Sequence, residues 1–253
     1  MKKNIFLILA VIVAFGSSCK KDLLDRTPLD AYSNSSLWTS QSDAEAALNG
    51  CYSGWENDYN IIYLDAVSDN SYSQFPWEGY QDYGNGSVTP ANTTVSTRWD
   101  YTTIQKCNWF LENIDKVPMD NTLKEQYKGE VRFLRAYEYF IMSQLYGDVP
   151  LETHTITPQQ AHASVRTPVA DVRQFVLNEL DTIANVLPVS YSGGDVGHVT
   201  KGAALSLKVR IELYDKKYAD CIADCQKVMG LGYKLYPSYQ DLFRIQNEDN
   251  SEV

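Results

Sequence analysis

The chain has 253 residues and a formal net charge of −10, from 32 acidic and 22 basic side chains. An acidic surface repels phosphate backbones and anionic headgroups, which excludes nucleic acid and electrostatic docking on a lipid surface as the main role. Eighteen Tyr and five Trp form a heavy load of amphipathic aromatics, suited to wet binding surfaces as well as to cores.

Lys2 and Lys3 precede an unbroken apolar run from Ile5 to Phe15. As a helix that run spans roughly 16 Å, about half a bilayer core, so it reads as the apolar region of a signal peptide and not as a membrane span. Gly16, Ser17 and Ser18 follow, and then Cys19. An ordinary secretory signal that ends near a cysteine is one reading. Cys19 stands where the first residue after cleavage belongs, which favours a lipoprotein signal over residues 1–18 and lipid on the Cys19 thiol. Residues 19–36 are polar and contain Pro28, and they read as a tether. No later stretch is apolar enough to cross a bilayer as a helix, so the expected membrane attachment is the lipid alone. Cys51, Cys107, Cys221 and Cys225 sit beside apolar neighbours, which favours buried single thiols over disulfides, although an oxidising compartment permits both.

A capping box at Ser42 and Glu45 predicts the start of the first helix, with Ala44, Ala47, Leu48, Cys51, Tyr52 and Trp55 on one face. The helical period then vanishes from Glu56 to Ser96, where Tyr59, Tyr63, Tyr72, Phe75, Trp77, Tyr80 and Tyr83 lie among Asn, Asp, Gly and Ser. Irregular segments of that length are normally functional or disordered, and the aromatics argue against disorder. Helical order returns with Ile104, Cys107, Phe110, Leu111 and Ile114, ending at Pro118. A second capping box, Thr122 with Glu125, opens a long helix that buries more than one face and ends at Gly147. Thr167-Pro168 predicts an N-cap followed by proline at the first helical position. Ser190–Gly197 is a Gly-rich loop. Two further helices, Thr200–Tyr214 and Tyr218–Met229, form a hairpin of tetratricopeptide size without that repeat's Trp and Leu-Gly marks. Tyr233, Leu235, Tyr236 and Tyr239 suggest an irregular aromatic strand or turn. The expectation is six helices and no sheet, a mostly α fold of tetratricopeptide-like hairpins with long irregular loops.

Catalytic signatures are sparse. His154, His162 and His198 fall in loop-like contexts without metal-ligand spacing, and Cys221 with Cys225 lacks two further ligands for zinc. No nucleophile elbow, P-loop or H-E-x-x-H is present, so neither a catalytic residue nor a metal nor a cofactor is expected. The irregular segment offers other chemistry. Sugar rings show C–H groups on their faces and hydroxyls at their rims, which aromatic rings and carboxylates or amides can meet. Asp69, Tyr72, Trp77, Glu78, Tyr80 and Tyr83 are the candidate ligand-binding residues. The competing reading is a long loop pinned to the helices by its own aromatics.

The segments KKDLLD after Cys19 and SLWTSQSDAEAALNGCYSGW (36–55) resemble the start of the SusD/RagB family of nutrient-binding outer-membrane lipoproteins. EVRFLRAYEYFIMSQLYGDVPL (130–151) is similar to that family's most recognisable motif. VTKGAALSLKVRIELY (199–214) and GYKLYPSYQDLF (232–243) resemble its later helical block and the turn after it. The resemblance implies a helical domain over residues 37–253 that forms the N-terminal half of a longer protein, and a scaffold role for Arg132, Arg135 and Tyr137. It further implies an outer-membrane, outward-facing glycan-binding lipoprotein that is not an enzyme and that partners a TonB-dependent, SusC-like transporter. A surface protein-interaction module is the alternative, and a secreted glycan hydrolase a more distant one.

Overall fold

The computed structural model describes residues 37–56, 58–89, 91–94, 96–247 and 250. The expected signal peptide, Cys19 and the tether lie outside the described residues. Ten α-helices occur among the described residues, and pairing of extended chain is limited to one antiparallel bridge between Val149 and Thr167. Six of them are the expected helices: α1 (Gln41–Tyr52), α4 (Thr102–Asn113), α5 (Asn121–Tyr146), α7 (Val169–Ile183), α8 (Lys201–Tyr214) and α9 (Tyr218–Met229). Four short ones are additional: α2 (Asp58–Asp65), α3 (Gln81–Gly84), α6 (Pro158–Ala163) and α10 (Tyr239–Leu242). Two of these, α2 and α3, interrupt the stretch expected to be irregular. In α2 the apolar residues Ile61, Ile62 and Leu64 crowd together instead of recurring each turn, and Ile61 and Ile62 are exposed, so no stripe betrays the helix. His162 belongs to α6 and not to a loop. The aromatic run after Gly232 is irregular and then helical, not a strand.

Three helix starts differ from expectation, each for a local reason. The capping box of α1 is Ser40 with Asp43: Ser40 Oγ accepts from the Asp43 N–H at 3.3 Å, and the Asp43 carboxylate accepts from the Ser40 N–H at 2.9 Å. The N-cap of α5 is Asp120, whose carboxylate accepts from the Leu123 N–H at 2.9 Å, while Glu125 pairs with Lys128 instead. Thr167 does not cap α7, because its backbone is held in the bridge to Val149. The first helical N–H, that of Val169, is taken at 2.8 Å by the carboxylate of Asp148.

Consecutive long helices pack on one another, α4 on α5, α5 on α7, α7 on α8 and α8 on α9. This is the stacking expected of tetratricopeptide-like hairpins. The spine is α5, about 39 Å long at 1.5 Å per residue. Its Val131, Leu134, Tyr139, Phe140 and Met142 are buried against Leu48, Ile104, Phe110, Val176 and Leu180 from its neighbours. At its C-terminus Gly147 takes φ 70°, where a side chain would be strained. Cys51, Cys107 and Cys221 are buried free thiols, and Cys225 is a half-buried one.

Two polar clusters cross the core. Arg132 binds Glu179 through two hydrogen bonds of 3.0 and 2.7 Å, and Arg135 binds it at 2.8 Å. Arg135 also donates to Asn108 Oδ1 at 2.8 Å, and Asn108 Nδ2 donates to the Glu152 and His154 carbonyls. Burial alone would push the Glu179 carboxyl up. The hydrogen bonds and charges of the two arginines outweigh it and hold the carboxyl below its ordinary range. Tyr137 packs edge-on against Trp55, with ring centroids 5.0 Å apart. Arg132, Arg135 and Tyr137 therefore hold the scaffold. In the second cluster the buried Glu130 carboxylate accepts from Tyr52 and Tyr191, each at 2.8 Å, and meets His198 Nδ1 at 2.8 Å. These bonds fasten the Gly-rich loop to α1 and α5.

Candidate functional site

The chain between α1 and α4 leaves the body and returns to it within a short distance. Glu56 stands at its exit and Arg98 at its return, joined by two parallel hydrogen bonds of 3.1 and 2.7 Å. Both side chains are largely buried, so the pair closes the base of the loop in a fixed fork geometry.

Inside the loop the short polar side chains supply what a helix or sheet would supply elsewhere. Glu78 accepts from Tyr63 Oη at 2.9 Å and from Ser73 Oγ. Gln81 Nε2 donates to the Ser73 carbonyl at 2.7 Å. Asn92 Nδ2 donates to the Gly79 carbonyl at 3.1 Å and to Asp82 at 3.0 Å, and Thr94 Oγ1 donates to the Glu78 carbonyl at 3.0 Å. Gly79 is left-handed at φ 76°, and a Cβ there would overlap Thr94 Oγ1, so glycine is required twice over.

This network decides which aromatics face solvent. Pro76 holds Phe75 extended and opens a single 3₁₀ turn over Pro76–Glu78. Phe75 and Trp77 then lie on the same side and stack, with centroids 4.6 Å apart and planes inclined by 24°. Trp77 is 79% exposed and Tyr72 73%.

The six candidate residues thus divide. Trp77 and Tyr72 are displayed, and Asp69 is exposed nearby in the chain. Tyr80 is 8% exposed and lies against Tyr63 at 5.1 Å, and Glu78 is engaged by two hydroxyls, so both support the turn from within. Tyr83 is half-buried on α3. Phe75, outside the six candidates, stacks on Trp77. Its position two before Trp77, across a proline, was the available signal. Among the described residues no group of His, Cys, Asp or Glu is arranged to hold a metal ion, and no helix is long and apolar enough to cross a membrane.

Comparison with known proteins agrees with the architecture. The SusD-like family model described as starch-binding and associating with the outer membrane matches residues 27–213. A SusD-like protein of Formosa agariphila is 27% identical over 225 residues, covering 85% of this chain and 43% of its own length. A SusD-like protein from Bacteroides fragilis superposes with a TM-score of 0.78 at 31% identity, covering 89% of this chain and 46% of that one. A laminarin-binding SusD-like protein superposes with a TM-score of 0.76 at 26% identity, covering 85% of this chain and 50% of that one. The chain spans half the length or less of the curated relatives it matches. It belongs to the SusD-like family.

Proposed function

We propose that this protein is a glycan-binding lipoprotein of the outer membrane, held by lipid on Cys19 and facing the exterior, that passes its ligand to a TonB-dependent, SusC-like transporter without cleaving it. The observation that carries the binding role is the Phe75–Trp77 stack, in which Trp77 is 79% and Phe75 41% exposed. An indole kept in water at that exposure forgoes burial worth about 1.5–3 kcal/mol or more for a large apolar side chain. A sugar face recovers part of it by stacking, while Tyr72 and Asp69 lie close enough in sequence to meet hydroxyls. The family's starch-binding description and the laminarin-binding relative support a glucan as ligand. Binding without turnover is supported by two carboxylates that flank the Trp77 turn. Glu78 and Asp82 are occupied as acceptors of internal hydrogen bonds and are poorly placed for acid–base work.

The test is a pair of measurements on one variant. Trp77→Ala is expected to weaken binding of laminarin or soluble starch by about 5- to 150-fold, equivalent to roughly 1–3 kcal/mol, in calorimetry. Its melting temperature should match the parent's. Unchanged affinity for every glucan that the parent binds would remove the platform from the site. For the anchor, Cys19→Ala is expected to leave the membrane fraction after a high-salt wash, since acyl chains provide the attachment. A variant that stays bound would refute lipidation at that position.

A further inference from the structure

A second cleft, which Trp77 does not line, lies between the start of α4, the chain after Pro150 and α6. Its volume is about 370 Å³, and its walls include Trp99, Tyr101, Gln105, Glu152, Pro158 and Ala161. The aromatic wall is fixed in place. The Arg166 guanidinium lies 4.9 Å over the Trp99 ring, Tyr146 packs edge-on against Trp99 at 5.0 Å, and Tyr101 Oη donates to the Pro150 carbonyl at 2.6 Å. The surface lining the cleft is mostly apolar, with a few polar groups at defined places. Gln105 Oε1 accepts from the Ile156 N–H at 3.1 Å, which fixes the orientation of the carboxamide. Its Nε2 donor is buried and has no partner among the described residues. Glu152 Oε1 accepts from Ser164 Oγ at 2.5 Å.

A buried donor without an acceptor is uncommon, because it forfeits the hydrogen bond it made to water. Here it stands beside an aromatic wall and a carboxylate, in a cleft at the small end of the range for ligand sites, roughly 300–1,000 Å³. We infer that this cleft binds one or two pyranose rings as a second carbohydrate site, independent of the Trp77 platform. A sugar ring would lay its C–H face on Trp99 and Tyr101, offer an oxygen to Gln105 Nε2 and donate a hydroxyl proton to Glu152. A hydrocarbon of the same size would leave Gln105 unpaired. A long polysaccharide would be limited to its terminal rings by the volume. Two separated sites on one body let a chain end and an internal segment be held together, which raises the effective concentration of each for the other.

Isotope labelling of glutamine side-chain amides tests this directly, with maltose and laminaribiose as probes. The Gln105 amide signal, assigned by its loss in Gln105→Glu, is expected to shift and saturate as sugar is added. Gln105→Glu keeps an acceptor for the Ile156 N–H and removes the free donor. Ala161→Trp fills the cleft from an exposed helical position. Introduced into Trp77→Ala, which removes the loop platform, each should weaken disaccharide binding, followed by saturation-transfer NMR on the sugar, by about tenfold or more relative to Trp77→Ala alone. Trp77→Ala should leave the Gln105 shift unchanged, so failure of the loop platform and failure of the cleft are told apart. A Gln105 signal unmoved by both sugars would overturn the inference. So would binding in both double variants equal to that of Trp77→Ala alone, or loss of the Gln105 shift in Trp77→Ala.

Discussion

The helical body and the loop between α1 and α4 are both rich in aromatics, yet they are held together by different physics. In the body, Leu48, Ile104, Phe110, Leu134, Tyr139 and Leu180 are fully buried, and apolar burial supplies the stability. Among the described loop residues, burial reaches Ala66, Ser73 and Tyr80, while Tyr72, Phe75 and Trp77 stay in solvent. The loop is shaped by hydrogen bonds from Ser73, Gln81, Asn92 and Thr94 and by the Glu56–Arg98 pair at its base. Each such bond contributes about 0.5–1.5 kcal/mol net, so a polar network fixes a shape without consuming the apolar faces that a ligand needs. The body is stable because it hides its rings, and the loop keeps rings in solvent because polar bonds hold its shape instead.

Substitutions that exchange one regime for the other break this contrast in order of size. Leu134→Ala removes a fully buried side chain from the spine and is expected to cost about 2–5 kcal/mol in denaturant unfolding. A loss below about 1 kcal/mol would mean that the α5 face relaxes around the gap.

Glu138, also on α5, sharpens the picture through pH. Burial pushes its carboxyl from 4.5 up to about 7, partly offset by the charge of Arg98. The unfolded chain therefore releases this proton first. Stability from this group is fully present below about pH 4.5, falls as pH rises and is lost above about pH 7. Glu138→Gln carries no charge at either end of that window. It should be more stable than the parent by about 1–3 kcal/mol near pH 8 and should match it near pH 4. Parallel pH profiles of the two proteins would show that the Glu138 carboxylate is well solvated.

The loop's own test is Gly79→Ala. Left-handed backbone and the approach of Thr94 Oγ1 together should cost about 1–2 kcal/mol, read as faster amide exchange confined to the loop. If exchange in α5 accelerates equally, the loop and the body are one cooperative unit. The smallest expected change is the stability of Trp77→Ala, within about 0.5 kcal/mol of the parent because the side chain is exposed. A larger loss would place Trp77 with the structural aromatics.

Much of the body was legible because its code is local. The stripes at Ala44–Leu48–Cys51 and Ile104–Cys107 and the two faces of the α5 segment repeat with the helical period. The first of these stripes and much of the α5 segment also lie in blocks that carry the family resemblance, so the mostly α architecture and the six long helices followed from order along the chain. Two starts shifted by two residues where a nearby side chain caps equally well, to Ser40 with Asp43 and to Asp120, against the expected Ser42 with Glu45 and Thr122 with Glu125.

What the sequence by itself determined was therefore which residues form the stacked helices and which segment had to be something else. Only the tertiary structure decided what that segment displays. Trp77 and Tyr80 are three residues apart in one aromatic stretch, and nothing in their spacing says that one faces solvent and the other Tyr63. That choice is made by bonds from Asn92 and Thr94 to the Gly79 and Glu78 carbonyls and by Arg98 reaching back 42 residues to Glu56. The cleft at Gln105 arises the same way, from α4 meeting a segment some 50 residues later in the chain. Periodicity encodes contacts within a few residues along a helix, whereas exposure on a loop depends on partners far along the chain, which only the folded molecule brings together.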